Sequence, residues 1–172
     1  FGYTEELWRF WQRCGFVLVR IGSHREASSG CYSAMAIRPL SDAGRALCAH
    51  EHQRLRRDAR IIERWNGEKI PVETLESATL TDDDWLELAG FAWGHRPFSA
   101  SVGSLTRLLN ATSAPLEALR GKIELQVEEG EMSRRLGLNG RKALLARLRA
   151  ETGQTLVQRD LPRSQQLKND IL

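Results

Sequence analysis

The first apolar pattern in the chain has the period of an α-helix. Four residues recur at i, i+3, i+4 and i+7, which predicts one buried helix face. This stripe consists of Leu7, Phe10, Trp11 and Cys14. Thr4 is a suitable N-cap before the helix, and Gly15 is a suitable C′ residue after it. The pattern therefore predicts a short amphipathic helix between these two positions.

Two runs typical of β-strands follow this helix. Residues 16–21 are mostly β-branched or aromatic, and residues 31–37 form a second candidate that Pro39 ends. The polar connection between them, Gly22 to Gly30, is nine residues long, which is more than a tight hairpin needs. Phe1-Gly2-Tyr3 has the composition of a strand end. We expect one helix and two antiparallel strands in this part of the chain.

The pattern after residue 40 is mainly helical. Ser41 is a suitable N-cap for a long helix that reaches about Trp65 and is followed by Asn66-Gly67. The buried stripe predicted for this helix consists of Leu47, Leu55, Ala59 and Ile62. Thr81 and the three acids after it predict the start of the next helix, because acids are favourable at a helix N-terminus.

Four further helices complete the predicted second half. Helices are expected around residues 102–109, after Pro115, near Met132, and from Asn139 to an end at Gly153. Residues 155–157 are predicted to form a short strand, and residues 159–172 to be a polar, frayed tail. The predicted fold class is α+β: a helix with two antiparallel strands, followed by a mainly helical domain.

Composition indicates a soluble globular protein. Of the 172 residues, 41% are hydrophobic and 27% are charged, and no apolar run approaches the length of a membrane span. The three cysteines are too few and too evenly spread for a disulfide framework, so we expect a reducing, cytoplasmic location. A net charge of +3 is compatible with nucleic-acid binding but not diagnostic of it.

The longest motif resembles a known enzyme family. A helix ending in Arg-Cys-Gly-Phe before two antiparallel strands resembles the C-terminal half of a GNAT acetyltransferase. The longer string FGYTEELWRFWQRCGFVLVRIGSHREASSGCYSAMAIRPL is similar to the bacterial tRNA(Met) cytidine acetyltransferase family. The resemblance continues to about residue 150 through the segments HQRLRRDA, WNGEKIPV, LTDDDWLELAGFAWGHRP, ALRGK and LNGRKALLARLR.

The resemblance implies a division into two parts and a function. Residues 1–40 would be the C-terminal part of a GNAT acetyltransferase domain and residues 41–158 a helical tRNA-binding domain. Composition, not the resemblance, makes residues 159–172 the frayed tail. The parent enzyme transfers acetyl from acetyl-CoA to the wobble cytidine of elongator tRNA(Met), which gives N4-acetylcytidine. In that family an upstream helicase-like module hydrolyses ATP or GTP.

Two residues of the first helix are the candidate cofactor-binding residues. Glu6 and Arg13 are seven residues apart and so lie on one helix face. Charge compensation at the two helix ends also explains them. The resemblance implies contact with acetyl-CoA, since Arg pairs with phosphate and Glu accepts from hydroxyl or amide donors. Trp11 takes the place of a Tyr that protonates the departing thiolate in many GNAT enzymes, and we expect it to be a core residue instead.

The connection between the predicted strands holds two substrate candidates. His24 and Arg25 lie in this long polar loop, which borders the acceptor side in a GNAT fold. An ordinary hydrophilic loop is the alternative. Cys48, His50 and His52 do not form a zinc site on this pattern, because position 50 faces away from the other two and no distant ligand pair completes a tetrahedron.

The arginines of the long helix are the best nucleic-acid signal in the sequence. Arg57, Arg60 and Arg64 are spaced to share one face, and several cations on one surface are what phosphate neutralisation requires. The alternative is a solvated face in which these arginines pair with acids of the same helix. The resemblance favours contact with tRNA.

Two rival functions remain open at this point: a non-catalytic RNA-binding module, and a protein-acetylating GNAT relative. No metal site is predicted, and the sequence contains neither a P-loop nor a glycine-rich turn for the CoA pyrophosphate. We therefore expect the chain to be inactive alone.

Overall fold

The computed structural model describes residues 1–171 and divides between Ser77 and Ala78 into two compact units. The first, which we call the sheet unit, contains α1 (Glu5–Arg13), β1 (Val17–Arg25), β2 (Tyr32–Ile37) and α2 (Asp42–Asn66). The second, which we call the helical unit, contains α3 (Asp82–Ala92), α4 (Val102–Asn110), α5 (Glu117–Ile123), α6 (Glu129–Arg135), α7 (Gly140–Arg159) and α8 (Leu161–Ile171). The α+β class is confirmed. None of the helices within residues 1–171 is long and apolar enough to cross a membrane.

The sheet unit extends further along the chain than the predicted boundary at residue 40. Leu55 and Ala59 of α2 are buried in the same core as Trp8, Leu18 and Ala34, which come from α1 and the two strands. Because α2 supplies one side of this core, it belongs structurally with the sheet and not with the later helices. The compact units therefore meet at Ser77, well beyond the predicted boundary.

Helix α1 begins where the sequence predicts, but it buries a different face. The Thr4 side chain accepts a hydrogen bond of 3.2 Å from the Leu7 amide, as an N-cap does. Trp8 is buried, whereas Leu7 and Phe10 are 37% and 49% exposed within the described chain. The predicted buried face of α1 was therefore wrong. The face that is buried is offset by about one residue around the helix, because the large indole of Trp8 fills the core of the sheet unit.

The two strands pair antiparallel, and the chain start adds to their sheet. The register runs from Val17↔Ile37 to Arg25↔Tyr32, with irregularities that let β1 extend into the predicted loop. Gly2 bridges Ser33 on the other edge of β2, and the Tyr3 amide donates to the Tyr32 carbonyl at 2.7 Å. The strand-like character of the first three residues is confirmed.

Helix α2 has one buried side and one exposed side. Ser41 caps it by accepting from the Gly44 amide at 3.1 Å, and Gly67 ends it with a φ of 74°, a conformation that glycine adopts readily. Cys48 is buried together with Leu55 and Ala59, whereas Leu47 is 56% exposed, so its predicted burial was wrong. The buried positions recur with helical spacing along one side of the helix.

Helix α7 runs through the glycine at which it was predicted to end. Gly153 lies inside the helix, and the strand predicted for residues 155–157 is absent from the described chain, because these residues are part of α7. Thr152 and Thr155 are buried, and each hydroxyl donates to the carbonyl four residues earlier, at 2.9 Å and 2.7 Å. Packing of this face overrides the helix-breaking tendency of the glycine.

Most of the predicted frayed tail is helix α8, which spans residues 161–171; residue 172 lies outside the described residues. Asp160 begins it by accepting from the amides of Arg163 and Ser164, both at 3.0 Å. Ser164 is 1% exposed, and α8 packs against α3 and α7. The tail is ordered because one side of an otherwise polar helix is buried.

A buried ion pair joins the start of α3 to α4. The Asp84 carboxylate accepts from Nε and Nη2 of Arg107 at 3.0 Å and 2.6 Å, and from the Ser104 hydroxyl at 2.9 Å. It also accepts from the Thr81 amide at 2.9 Å, which completes a capping box. Burial raises the pKa of Asp84, but the hydrogen bonds from Arg107, Thr81 and Ser104 outweigh it and lower the pKa from 3.8 to about 2.

Loss of this carboxylate should destabilise the helical unit strongly. Asp84→Ala leaves a buried guanidinium without its anion, so we expect a loss of about 3 kcal/mol or more in the free energy of unfolding. Urea denaturation followed by circular dichroism measures it. Asp82→Ala is the matched control, because Asp82 lies in the same first turn but its side chain is 92% exposed. Equal losses in the two variants would show that burial of the pair contributes nothing.

The same pair should make stability depend on acid pH. The folded-state pKa of Asp84 lies below its unfolded value, so its contribution is complete above pH 3.8 and is lost as the pH falls toward about 2. The contribution is about 2 kcal/mol, from 1.36 kcal/mol per pKa unit. The difference in unfolding free energy between wild type and Asp84→Asn should therefore shrink over this range. A difference that stays constant from pH 5 to 2 would contradict the assigned pKa.

Candidate cofactor face and nucleic-acid interface

The two candidate cofactor residues lie on the same exposed side of α1. Glu6 is in the first turn and Arg13 in the last, about 10 Å apart along the helix axis. Helical geometry places both on the side opposite buried Trp8, with half-exposed Phe10 between them. Neither side chain has a hydrogen-bond or ion-pair partner within residues 1–171. Arg9, by contrast, pairs with Glu5 on the same helix.

Trp11 lies in an aromatic cluster at the end of α1. Its ring centroid is 6.1 Å from that of Phe1, 5.3 Å from that of Phe10 and 4.9 Å from that of Phe16, the last two in edge-to-face geometry. Trp11 packs on the periphery of the sheet-unit core, as expected of a core residue. This cluster fixes the end of α1 against the start of β1.

The two substrate candidates lie at the end of β1, and one of them has a structural role. Arg25 donates to the Gly30 carbonyl at 3.0 Å, pairs with Glu68 and lies 4.9 Å over the Tyr32 ring. These contacts hold the hairpin to the segment that follows α2. His24 is its exposed neighbour in the sequence. The acidic partner of Arg25 is Glu68, which lies 43 residues further along the chain. The local sequence around Arg25 therefore gives no signal of this structural role.

The three candidate arginines of α2 form a stripe on the side opposite the core, and we call it the basic stripe. Arg60 and Arg64 are exposed and Arg57 is half-exposed. Helical spacing places all three opposite buried Leu55 and Ala59. The structure thus brings the predicted residues together on one surface of the sheet unit.

Acids from the segment after α2 lie beside the basic stripe. Arg60 pairs with Glu76, and neighbouring Arg56 binds both the carboxylate and the carbonyl of Glu73, at 2.8 Å and 2.9 Å. Arg64 has no acidic partner among the described residues. The charge of this surface is therefore partly compensated by acids that are distant in the sequence.

The cations of α7 divide into structural and exposed ones. Arg147 pairs at 2.9 Å with Glu151, which is 4% exposed. Arg149 donates to the carbonyls of Gly94 and Arg96 and lies 5.3 Å from the Phe91 ring centroid. Arg141 pairs at 2.8 Å with Glu129, and Lys142 is exposed. Lys122 binds the same carboxylate at 3.0 Å, and this hydrogen bond is the main cause that lowers the pKa of Glu129.

A groove of about 300 Å³ between the end of α3 and the middle of α7 was missed from sequence. Trp93 forms part of its wall, together with Arg149, Gln154 and small residues of the two helices. The predicted helix end at Gly153 gave no reason to expect a groove at this position. The sequence signal for the groove was Gly153, because the apolar pattern continues on both sides of this glycine and so indicates that the helix does not end there.

Comparison with known proteins identifies relatives over the whole chain. A family described as a tRNA-binding domain matches residues 44–161. The chain is similar to a tRNA(Met) cytidine acetyltransferase of Citrobacter koseri, with 59% identity over 172 residues, which is 100% of this chain and 26% of the relative. Similar enzymes of Salmonella typhimurium and Haemophilus influenzae are 57% and 43% identical over 98% and 63% of this chain, and 25% and 16% of their own lengths. The chain spans about a quarter of the length of the first two relatives.

Proposed function

The chain belongs to the tRNA-binding domain family, and from this we propose that it is the tRNA-binding part of a tRNA(Met) cytidine acetyltransferase. The enzyme transfers acetyl from acetyl-CoA to the wobble cytidine of elongator tRNA(Met), and hydrolysis of ATP or GTP belongs to the rest of that enzyme. The observation that carries the proposal is the match across residues 44–161, which includes the basic stripe. The match begins within α2 and ends at the first residue of α8, so it covers α3 to α7 of the helical unit.

The basic stripe suits the backbone of a folded RNA. Its arginines are carried on one rigid helix, so their spacing is fixed before binding. Phosphate contacts of this type determine affinity and position rather than base identity. Arg is also the side chain that binds phosphate with two parallel hydrogen bonds. We therefore assign Arg57, Arg60 and Arg64 to contacts with the tRNA backbone.

The exposed face of α1 suits part of acetyl-CoA. Acetyl-CoA supplies the acetyl group as a thioester, and the exocyclic amine of cytosine accepts it. We assign Arg13 to a phosphate of the CoA moiety and Glu6 to a hydroxyl or amide donor of it, since both side chains are exposed and unengaged within residues 1–171. We propose that His24 lies on the side of the site where the substrate that accepts the acetyl group binds. Arg25 is better explained as a residue that orders the hairpin.

Removal of the basic stripe should weaken tRNA binding in a salt-dependent way. The triple variant Arg57→Gln, Arg60→Gln and Arg64→Gln removes up to three cations, and Gln preserves the helix. The slope of log affinity against log salt concentration should become shallower by roughly two to three, at about 0.9 per phosphate. The lower figure applies if Arg60 stays with Glu76. Electrophoretic mobility shift across a salt series measures the slope.

A second triple variant on the same helix is the control for this experiment. Arg45→Gln, Arg54→Gln and Arg56→Gln make the same change in net charge at positions off the stripe. Preference for cognate over non-cognate tRNA should change little in either variant, because phosphate contacts do not read bases. Identical slopes for the two triple variants would show that only net charge matters and that the tRNA contacts lie elsewhere.

The α1 face should affect acetyl-CoA and not tRNA. In the whole enzyme, Arg13→Ala should raise the KM for acetyl-CoA about tenfold and leave tRNA affinity near its wild-type value, because one charge-assisted hydrogen bond contributes about 1.5–3 kcal/mol. Steady-state acetylation kinetics and tRNA binding measure the two quantities. Arg9→Ala is the matched control, since Arg9 is an exposed arginine of the same helix that already pairs with Glu5. An unchanged KM for Arg13→Ala would leave Arg13 with a role at the helix end only.

A further inference from the structure

The groove in the helical unit is a concave surface that contains no residue of the basic stripe or of the α1 face. It has a volume of about 300 Å³, at the small end of the range of small-molecule sites. Trp93 lies at the end of α3, while Arg149, Ala150 and Gln154 lie on α7. The side chains around it include one cation and no carboxylate among the described residues. Its size suits one planar group rather than a whole nucleotide cofactor.

Gly153 determines the shape of this groove. A Cβ at position 153 would lie 3.0 Å from Nε1 and 3.4 Å from Cε2 of Trp93. The absence of a side chain therefore lets the indole lie against the backbone of α7. A glycine inside a long helix costs up to about 1 kcal/mol relative to alanine. Close packing of the Trp93 indole against the backbone at this position offsets that cost.

Arg149 is held in place before any ligand arrives. Its guanidinium donates to the carbonyls of Gly94 and Arg96 and lies over the Phe91 ring. A guanidinium has five N–H donors, and these two carbonyls do not use them all. Gln154, one turn away on the same helix, is exposed and adds an amide that both donates and accepts.

An indole, a guanidinium plane and an amide are the groups with which proteins bind unstacked RNA bases. We propose that this groove binds one unpaired nucleobase of RNA, with the base against Trp93 and its edge toward Gln154 and Arg149. The inference rests on the proposed tRNA-binding function and adds a base-binding site to the phosphate contacts. The positive charge of Arg149 and the lack of a carboxylate among the groove residues suit the phosphates that flank such a base.

Two surface substitutions test the groove without touching the core. Ala150→Leu fills it from the exposed side, and Gln154→Ala removes the amide. Base stacking by aromatic residues is strong enough that Ala150→Leu should weaken tRNA binding about fivefold or more. Gln154→Ala should weaken it about twofold or more. Binding of a fully paired RNA duplex, which offers phosphates but no free bases, should stay unchanged, as should the salt slope.

Matched controls lie one turn away on α7. Ala146→Leu and Gln158→Ala make the same changes at exposed positions outside the groove, and they should bind tRNA as the wild type does. Groove variants that bind tRNA as well as these controls would overturn the inference and leave the proposed function standing. Equal losses for tRNA and for duplex RNA would also overturn it, because the groove would then contact phosphates only. A wild-type chain that binds no tRNA would overturn the proposed function and this inference together.

Discussion

The energetic cost of burying charge is the constraint on which the helical unit depends. Two carboxylates lie inside it, and each is surrounded by donors from more than one helix. Asp84 joins the start of α3 to Ser104 and Arg107 of α4. Glu151 of α7 accepts from the amides of Ala118 and Leu119 at 3.2 Å and 3.0 Å, and so satisfies the first turn of α5. A unit built from short helices obtains its specific arrangement through these few polar links.

Helix α2 has a structural side and a side proposed to bind RNA. One side of it completes the core of the sheet unit, while the other carries the basic stripe. The tRNA-binding family match starts at residue 44, near the beginning of this helix, although the compact unit ends at Ser77. The family region and the folding unit therefore do not coincide. The surface proposed for RNA lies on the opposite side of α2 from the core that this helix shares with the two-stranded sheet, so its orientation depends on that core.

Local patterns predicted most elements but not their contacts. The caps at Thr4, Ser41 and Thr81 follow from side-chain chemistry within three residues, and the structure has all three. The buried face of α1 and the exposure of Leu47 depend on which neighbour fills the core, which periodicity alone does not encode. The helical state of residues 155–159 and 161–171 depends on burial of Thr155, Leu156 and Ser164. The roles of Arg25 and Arg149 depend on partners more than 40 residues away.

The pairing of Arg60 with Glu76 has a consequence for the thermodynamics of RNA binding. Polyanion binding gains free energy because cations condensed on the nucleic acid become free to diffuse when arginines neutralise its phosphates. The carboxylate beside Arg60 is covalently part of the same chain, so it gains no translational entropy when a phosphate replaces it. The Glu76 carboxylate therefore competes with phosphate for Arg60 at a fixed effective concentration. On the proposed function, this surface would therefore discriminate against weak, isolated phosphates and favour RNA that engages several arginines at once.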